Sequence, residues 1–93
     1  MEFSDKTGDS HFETDPDFNI FVTSLGMQAM IFMGEMINPI TNQTTIELSR
    51  AKYLIDTIAM IKEKTSGNLK ADEQKLIDDI LCGLRLKFVE KSK

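Results

Sequence analysis

Apolar residues recur every three or four positions in three long segments of the chain. This spacing matches the 3.6-residue turn of an α-helix rather than the two-residue repeat of a strand. Proline occurs only at positions 16 and 39, so little interrupts these segments. The pattern predicts an all-α three-helix bundle, with helices at about 16–36, 45–65 and 71–89.

The ends of the first predicted helix are set by two prolines. Asp15 can cap the helix and Pro16 can occupy its first position, where the missing N–H costs nothing. Asn38 precedes Pro39, which disfavours helical backbone at that residue. We therefore expect a turn there, after which the second helix runs back along the first.

The second helix is predicted to begin at a capping box and to end at a glycine. Thr44 is followed three residues later by Glu47, so hydroxyl and carboxylate could satisfy reciprocal backbone donors. Gly67 suits the left-handed position after a helix, and Lys62 and Lys64 would lie in the last turn, where the helix dipole favours cations.

The chain has room for one domain. Residues 1–14 are polar and acidic, with Phe3 and Phe12 as their large apolar side chains, and they predict a disordered tail. Residues 15–90 form the predicted helical domain. Residues 91–93 are expected to be a charged C-terminal tail.

The first two predicted helices are apolar on a second side as well as on the side expected to build the core. On a helical wheel these extra positions lie opposite the core, where a solvated helix carries charge. We interpret them as an oligomer interface and expect a homo-oligomer, most simply a two-fold dimer. The six interface residues are Ile20, Met27, Ile31, Ile46, Tyr53 and Met60. The alternative is that another part of the same chain covers this side.

Charge and cysteine content narrow the classes of function. The formal net charge of −4 disfavours a nucleic-acid binder, which needs clustered lysine and arginine. The single cysteine, Cys82, makes no internal disulfide, and we expect no signal peptide and a cytoplasmic location. Residues 18–34 carry no charge but are too short and too polar for a membrane span, so we interpret them as a buried helix.

The sequence offers little catalytic chemistry. Met27, Met30, Met33 and Met36 could bind Cu(I) through their thioethers, but a three-residue step winds around a helix, so we interpret them as packing residues. His11 lies in the predicted tail, and no phosphate loop or paired carboxylates can be recognised. We expect no enzyme activity, cofactor or metal.

One pair of charged residues could connect two helices. Asp56 lies at the border of the second helix and Arg85 at the border of the third, a placement that permits an interhelical ion pair. Two separately solvated side chains are the equally acceptable alternative.

Short strings along the domain, from Asp17 to Val89, form a distinctive pattern. They are Phe21-Val22, Ser24-Leu25, Gln28-Ala29, Gly34-Glu35, Asn38-Pro39, Ala51-Lys52, Ile55-Asp56-Thr57, Glu63-Lys64-Thr65, Gly67-Asn68-Leu69, Glu73, Leu84-Arg85 and Phe88-Val89. This pattern resembles the bacterial domain-of-unknown-function family 1844. The chain departs from the family at Gly26, where alanine is more typical, and at Lys70, where the family usually has threonine. The resemblance implies a small cytoplasmic bacterial helical protein without an assigned activity, cofactor or partner.

Two classes of function remain open. The first is a self-associating helical interaction module, whose oligomer presents a surface to other proteins. The second is a small-ligand or copper carrier that uses the methionine-rich interior. A fold of this kind does not decide between them.

Overall fold

A computed structural model describes residues 15–93, and they form a three-helix bundle. The helices are α1 (Phe18–Phe32), α2 (Leu48–Lys64) and α3 (Ala71–Lys91), and each packs against the other two. This part of the chain contains no strand, which confirms the all-α prediction. The predicted disordered tail, residues 1–14, lies outside the described residues.

Helix α1 begins two residues later than predicted. Asp17 is its N-cap, and the Asp17 carboxylate accepts a 3.0 Å hydrogen bond from the backbone N–H of Ile20. Asp15 and Pro16 precede the helix. The prediction placed the cap at Asp15 because of the proline, but it is the carboxylate of Asp17 that satisfies a free N–H of the first turn.

Helix α1 ends at Phe32, so the prediction that it continues to Met36 was wrong. Gly34 adopts φ +78°, the left-handed conformation that costs glycine little. The N–H groups of Gly34 and Glu35 then bond to the carbonyls of Ile31 and Met30, at 3.0 and 2.9 Å. These bonds form a Schellman motif, which closes the helix before Asn38 and Pro39 are reached.

The connection from α1 to α2 is held by its own hydrogen bonds. Asn38 and Gln43 form an isolated antiparallel bridge, and the Asn38 side chain accepts from the N–H of Ile40 at 2.9 Å. Asn42 adopts φ +59°, which asparagine tolerates better than most residues. The turn predicted around Asn38-Pro39 is present, although it lies beyond the end of the helix.

The predicted Thr44–Glu47 capping box does not form. Helix α2 begins at Leu48, and the Glu47 side chain makes no cap hydrogen bond. The Glu47 N–H instead donates to the carbonyl of Phe32 at 2.7 Å, and its carboxylate pairs with Arg50 at 3.1 Å. A bond to the preceding helix therefore replaces the local cap.

The boundary between α2 and α3 follows the prediction closely. Helix α2 ends at Lys64, and Gly67 adopts φ +86° in the turn that follows. Helix α3 begins at Ala71, where the Glu73 carboxylate accepts from the N–H of Lys70 at 2.9 Å. The helix continues to Lys91, two residues beyond the predicted end at Val89.

The core is built from the predicted apolar faces of all three helices. Phe21 directly precedes the fully buried Val22 but lies at the edge of the buried side of α1, and it remains 51% exposed. Two ion pairs flank the core: Lys62 of α2 with Asp78 of α3 at 2.6 Å, and Lys91 of α3 with Glu35 of the connection after α1 at 2.9 Å. The buried apolar residues are Val22, Ala29, Met33, Ala51, Leu54, Ile55, Ile58, Ile77, Leu81 and Leu84.

Candidate interaction surface

Within residues 15–93, no helix packs on one side of α1. The helix buries Val22, Gly26 and Ala29 toward the bundle centre, and successive residues turn by about 100°. The opposite side is therefore made by five uncharged residues, which we call the α1 outer face: Ile20, Thr23, Ser24, Met27 and Ile31. Ile20 is 63% exposed, Met27 is 48% exposed and Ile31 is half-buried.

The scarcity of charge extends beyond α1. Glu35 is the only charged residue between Phe18 and Ile46. It lies against the C-terminal turns of α3, where Lys91 Nζ is 2.9 Å and Lys87 Nζ is 3.6 Å from its carboxylate. The hydrogen bond from Lys91 holds the pKa of Glu35 below its usual value, so the carboxylate is ionised at neutral pH. The one negative charge in this stretch is thus paired with lysines of α3.

An apolar groove runs between α1 and α3 beside the outer face. Its main part encloses about 430 Å³, and a second part of about 280 Å³ continues toward Ile20 and Leu76. Thr23 and Met27 line both parts, so the groove is continuous with the outer face of α1. The residues of the main part, which we call the α1–α3 groove, are Thr23, Gly26, Met27, Met30, Met36, Asp79, Ile80, Gly83, Leu84 and Lys87.

Three of the four methionines between positions 27 and 36 line the groove, although their three-residue spacing does not place them on one side of a helix. Met27, Met30 and Met36 all line it, while Met33 is fully buried in the core. Met27 and Met30 are one helical turn apart, and Met36 reaches the same groove because the chain turns at Gly34. The interpretation of the methionines as packing residues fits Met33, whereas the other three form an accessible apolar wall.

Two glycines also line this groove, and they differ in their surroundings. A Cβ on Gly26 would lie 3.2 Å from Ile80 Cγ2, so its small size serves the packing of α1 on α3. A Cβ on Gly83 would meet no atom within 4 Å among the described residues. No sequence pattern indicates that Gly26, Gly83, Met30 and Met36 share one surface, because it forms only when α1 packs on α3.

The predicted interface residues of α2 lie apart from the α1 outer face. Tyr53 lines a separate depression with Gln28 and Phe32, and Met60 is exposed on the same side of α2 as Tyr53. That side also carries an exposed ion pair, Lys52 with Asp56 at 2.7 Å. The α2 side of the predicted interface therefore carries charge, which the α1 outer face does not.

Ile46 lies in the connection before α2 and not in the helix itself. The side chain of Ile46 lies against Gly34, where a Cβ would be 3.0 Å from Ile46 Cγ1. Most of the side chain is nevertheless exposed. Ile37 and Ile40 are exposed in the same connection, so apolar groups continue from α1 into this loop.

The suggested ion pair between Asp56 and Arg85 does not form. Asp56 bonds to Lys52, one turn earlier on the same helix, at 2.7 Å. A partner four residues away on one helix is already in reach, whereas a partner on α3 requires the helix faces to align. The pair that does join α2 to α3 is Lys62 with Asp78, which no sequence pattern indicates.

The described residues present little catalytic or metal-binding chemistry. Among residues 15–93 no three His, Cys, Asp or Glu side chains are grouped so that they could hold a metal ion. Cys82 is an exposed free thiol, and His11 lies outside the described residues. None of the three helices is long and apolar enough to cross a membrane. The apolar surface and groove are therefore the best-defined candidate site.

Comparison with known proteins adds a family but no activity. Neither the search of curated proteins nor the search of solved structures finds a match. A family model described as a domain of unknown function, DUF1844, matches residues 15–90. This range contains all three helices apart from the last residue of α3, as well as the outer face and the groove. The chain therefore belongs to the DUF1844 family of domains of unknown function.

Proposed function

We propose that this protein is a non-enzymatic, self-associating helical interaction module. The observation that carries the proposal is the α1 outer face, where Ile20 and Met27 are exposed without a charged residue beside them on the helix. A helix side that faces only water normally carries charge. Burial of this face against a second copy removes apolar surface from water, which is the main driving force for association.

The size of the protomer supports the same proposal. A domain of this length buries a smaller fraction of its surface than a larger one, so its own core provides limited stability. The fully inaccessible part of the core is small, and its largest side chains are Met33, Ile58, Ile77 and Val22. Association through the α1 outer face extends the core across two chains.

Charge substitutions on the outer face test this proposal. Ile20→Glu and Ile31→Glu place a carboxylate where the proposal buries apolar surface, so light scattering should show a smaller species that remains helical by circular dichroism. Ile20 is the cleaner position because its side chain is mostly exposed in the protomer. Leu86→Glu is the matched control, since Leu86 is similarly exposed on the outer side of α3.

Met60→Lys tests the other half of the predicted interface. Met60 lies on α2, on the side that carries the Lys52–Asp56 ion pair. We expect this variant to keep the wild-type mass. A wild-type protein that is monomeric at micromolar concentration, or Ile20→Glu and Ile31→Glu variants with unchanged mass and stability, would show that the proposal is wrong.

A carrier of a small apolar ligand or Cu(I) is the second candidate. The observation that favours it is the α1–α3 groove, in which Met27, Met30 and Met36 share one wall. Thioethers bind Cu(I), and apolar grooves bind apolar ligands. Native mass spectrometry of the purified protein and elemental analysis after anaerobic Cu(I) loading test it. Copper retained one-to-one, and lost in a Met27→Leu/Met30→Leu variant, would support the carrier.

The proposed setting is the cytoplasm of a bacterium. A single cysteine is compatible with a reducing compartment, because no internal disulfide is required for stability. The net charge of −4 gives no reason to expect nucleic acid as a partner. The partners we propose are a second copy of the chain, and another protein that the oligomer would bind.

A further inference from the structure

Gly83 lies in the middle of α3, where glycine lowers helix stability relative to alanine. Its backbone is not in the left-handed region, and a Cβ would meet no atom within 4 Å among the described residues. Neither backbone strain nor internal packing in residues 15–93 therefore accounts for a glycine at this position. Gly26 across the groove is different, since Ile80 leaves little room for a Cβ there.

The position of Gly83 indicates close approach from outside the protomer. It lines the α1–α3 groove together with Met27, Met30 and Met36. The separation of two packed helices depends on the side chains at their contact, so a glycine lets a neighbouring helix come nearer. A helix lying in this groove would contact the backbone of α3 at Gly83 and the methionine wall of α1.

We propose that the α1–α3 groove receives helix α1 of a second copy of this chain, which crosses α3 at Gly83. This inference rests on the proposed self-association and specifies its geometry. Asp79 and Lys87 border the groove and are already paired within the protomer, with Lys75 and Glu35, so an uncharged helix can enter it without leaving an unpaired ion. Helix α1 has no charged residue from Phe18 to Phe32, whereas α2 and α3 carry charges along their lengths.

The arrangement is reciprocal. Thr23 and Met27 belong both to the outer face of α1 and to the wall of the groove. When α1 of the first copy enters the groove of the second copy, the groove of the first copy comes to lie beside α1 of the second. Such a self-complementary contact closes as a two-fold dimer and leaves no second face open for further copies.

Methionine methyl groups report the contact directly. In a dilution series of the full chain with ¹³C-methyl methionine, the signals of Met27, Met30 and Met36 should change with concentration. Met33, which is fully buried, and Met60, which is exposed on α2, are internal controls that should not change. Changes at Met60 with none at Met30 and Met36 would place the contact on α2 and overturn the proposal.

Substitutions on α3 test the close approach at Gly83. Gly83→Leu fills the point of contact and should raise the dimer dissociation constant by roughly ten-fold or more, as expected for overpacking at a close contact. Cys82→Leu is the matched control, because Cys82 is exposed on α3 and does not line the groove. It should change the dissociation constant by less than about three-fold.

Each outcome separates the groove proposal from self-association itself. If the wild-type chain stays monomeric at every concentration, self-association fails and the groove proposal fails with it. If the chain dimerises but Gly83→Leu binds as tightly as wild type, self-association stands and the groove proposal is wrong. If removal of residues 1–13 shifts the Met30 and Met36 signals in the dilute monomer, the N-terminal segment fills the groove and the proposal is also overturned.

Discussion

Lys91 Nζ lies 2.9 Å from Glu35 Oε2, so the last turn of α3 is joined to the turn that follows the end of α1. Lys87 approaches the same carboxylate, at 3.6 Å from Oε1. Both lysines stabilise the ionised form of Glu35, and the hydrogen bond from Lys91 contributes most to the lowered pKa of Glu35. Asp78 has a lowered pKa for a similar reason, because it bonds to Lys62 of α2.

These two carboxylates predict a loss of stability in acid. A pKa that is lower in the folded than in the unfolded chain stabilises the fold above the unfolded pKa, and this contribution is lost as pH falls through the folded pKa. The melting temperature should therefore fall as the pH drops below the ordinary pKa values of the two carboxyls, about 4.5 for Glu35 and about 3.8 for Asp78. Glu35→Gln should reduce the part of this loss that comes from Glu35, which thermal denaturation across this pH range measures.

Two glycine-to-alanine substitutions should change stability in opposite directions. Gly34→Ala forces a side chain onto a residue at φ +78° and places its Cβ 3.0 Å from Ile46 Cγ1, so it should lower the free energy of unfolding by at least about 1 kcal/mol. Gly83→Ala adds a Cβ in open space within a helix and should stabilise the protomer by up to about 1 kcal/mol. Urea unfolding of both variants provides the measurement, at a concentration where the wild-type chain is monomeric so that the proposed contact at Gly83 does not contribute. Two changes of the same sign would contradict the prediction.

Residues 1–13 should be dispensable for folding. The cap of α1 comes from Asp17, and the buried core runs from Val22 to Leu84. A chain that lacks residues 1–13 should therefore unfold at a temperature close to that of the full chain. A large decrease would show that Phe3 or Phe12 packs on the bundle.

Self-association through α1 should depend little on salt. Charged pairs lose strength as ionic strength rises, whereas contacts between uncharged apolar faces do not. Sedimentation equilibrium between about 0.05 and 0.5 M NaCl should give nearly constant dissociation constants, since this range spans the strong change in screening. A steep decrease in affinity with salt would indicate an interface made by α2 or α3 instead.

Features that depend on local chemistry could be predicted from the sequence. Gly67 ends the turn after α2, and α3 begins at Ala71 as expected, because glycine and the following acidic first turn act within a few residues. The apolar periodicity also identified most of the core. Ile20 and Met27 are exposed on the side of α1 where the wheel placed them.

Features that depend on distant partners could not be predicted. The Thr44–Glu47 pattern matches a capping box, but a carbonyl from Phe32 takes the Glu47 N–H, and no sequence pattern shows this bond. Whether α2 and α3 are joined by Lys62 with Asp78 or by Asp56 with Arg85 depends on how the two helices are rotated against each other. The groove likewise depends on Met36, which reaches it only because the chain turns at Gly34.

The bond from Glu47 N to Phe32 O also bears on the order in which the chain folds. It closes the connection between α1 and α2 using residues that all precede α3. Loop-closure entropy grows only slowly with loop length, and pairings between segments that are adjacent in the sequence form early. Helices α1 and α2 can therefore dock as a hairpin while α3 is still being synthesised. Until Ile77, Leu81 and Leu84 arrive, that hairpin exposes one side of the future core to the surrounding solution.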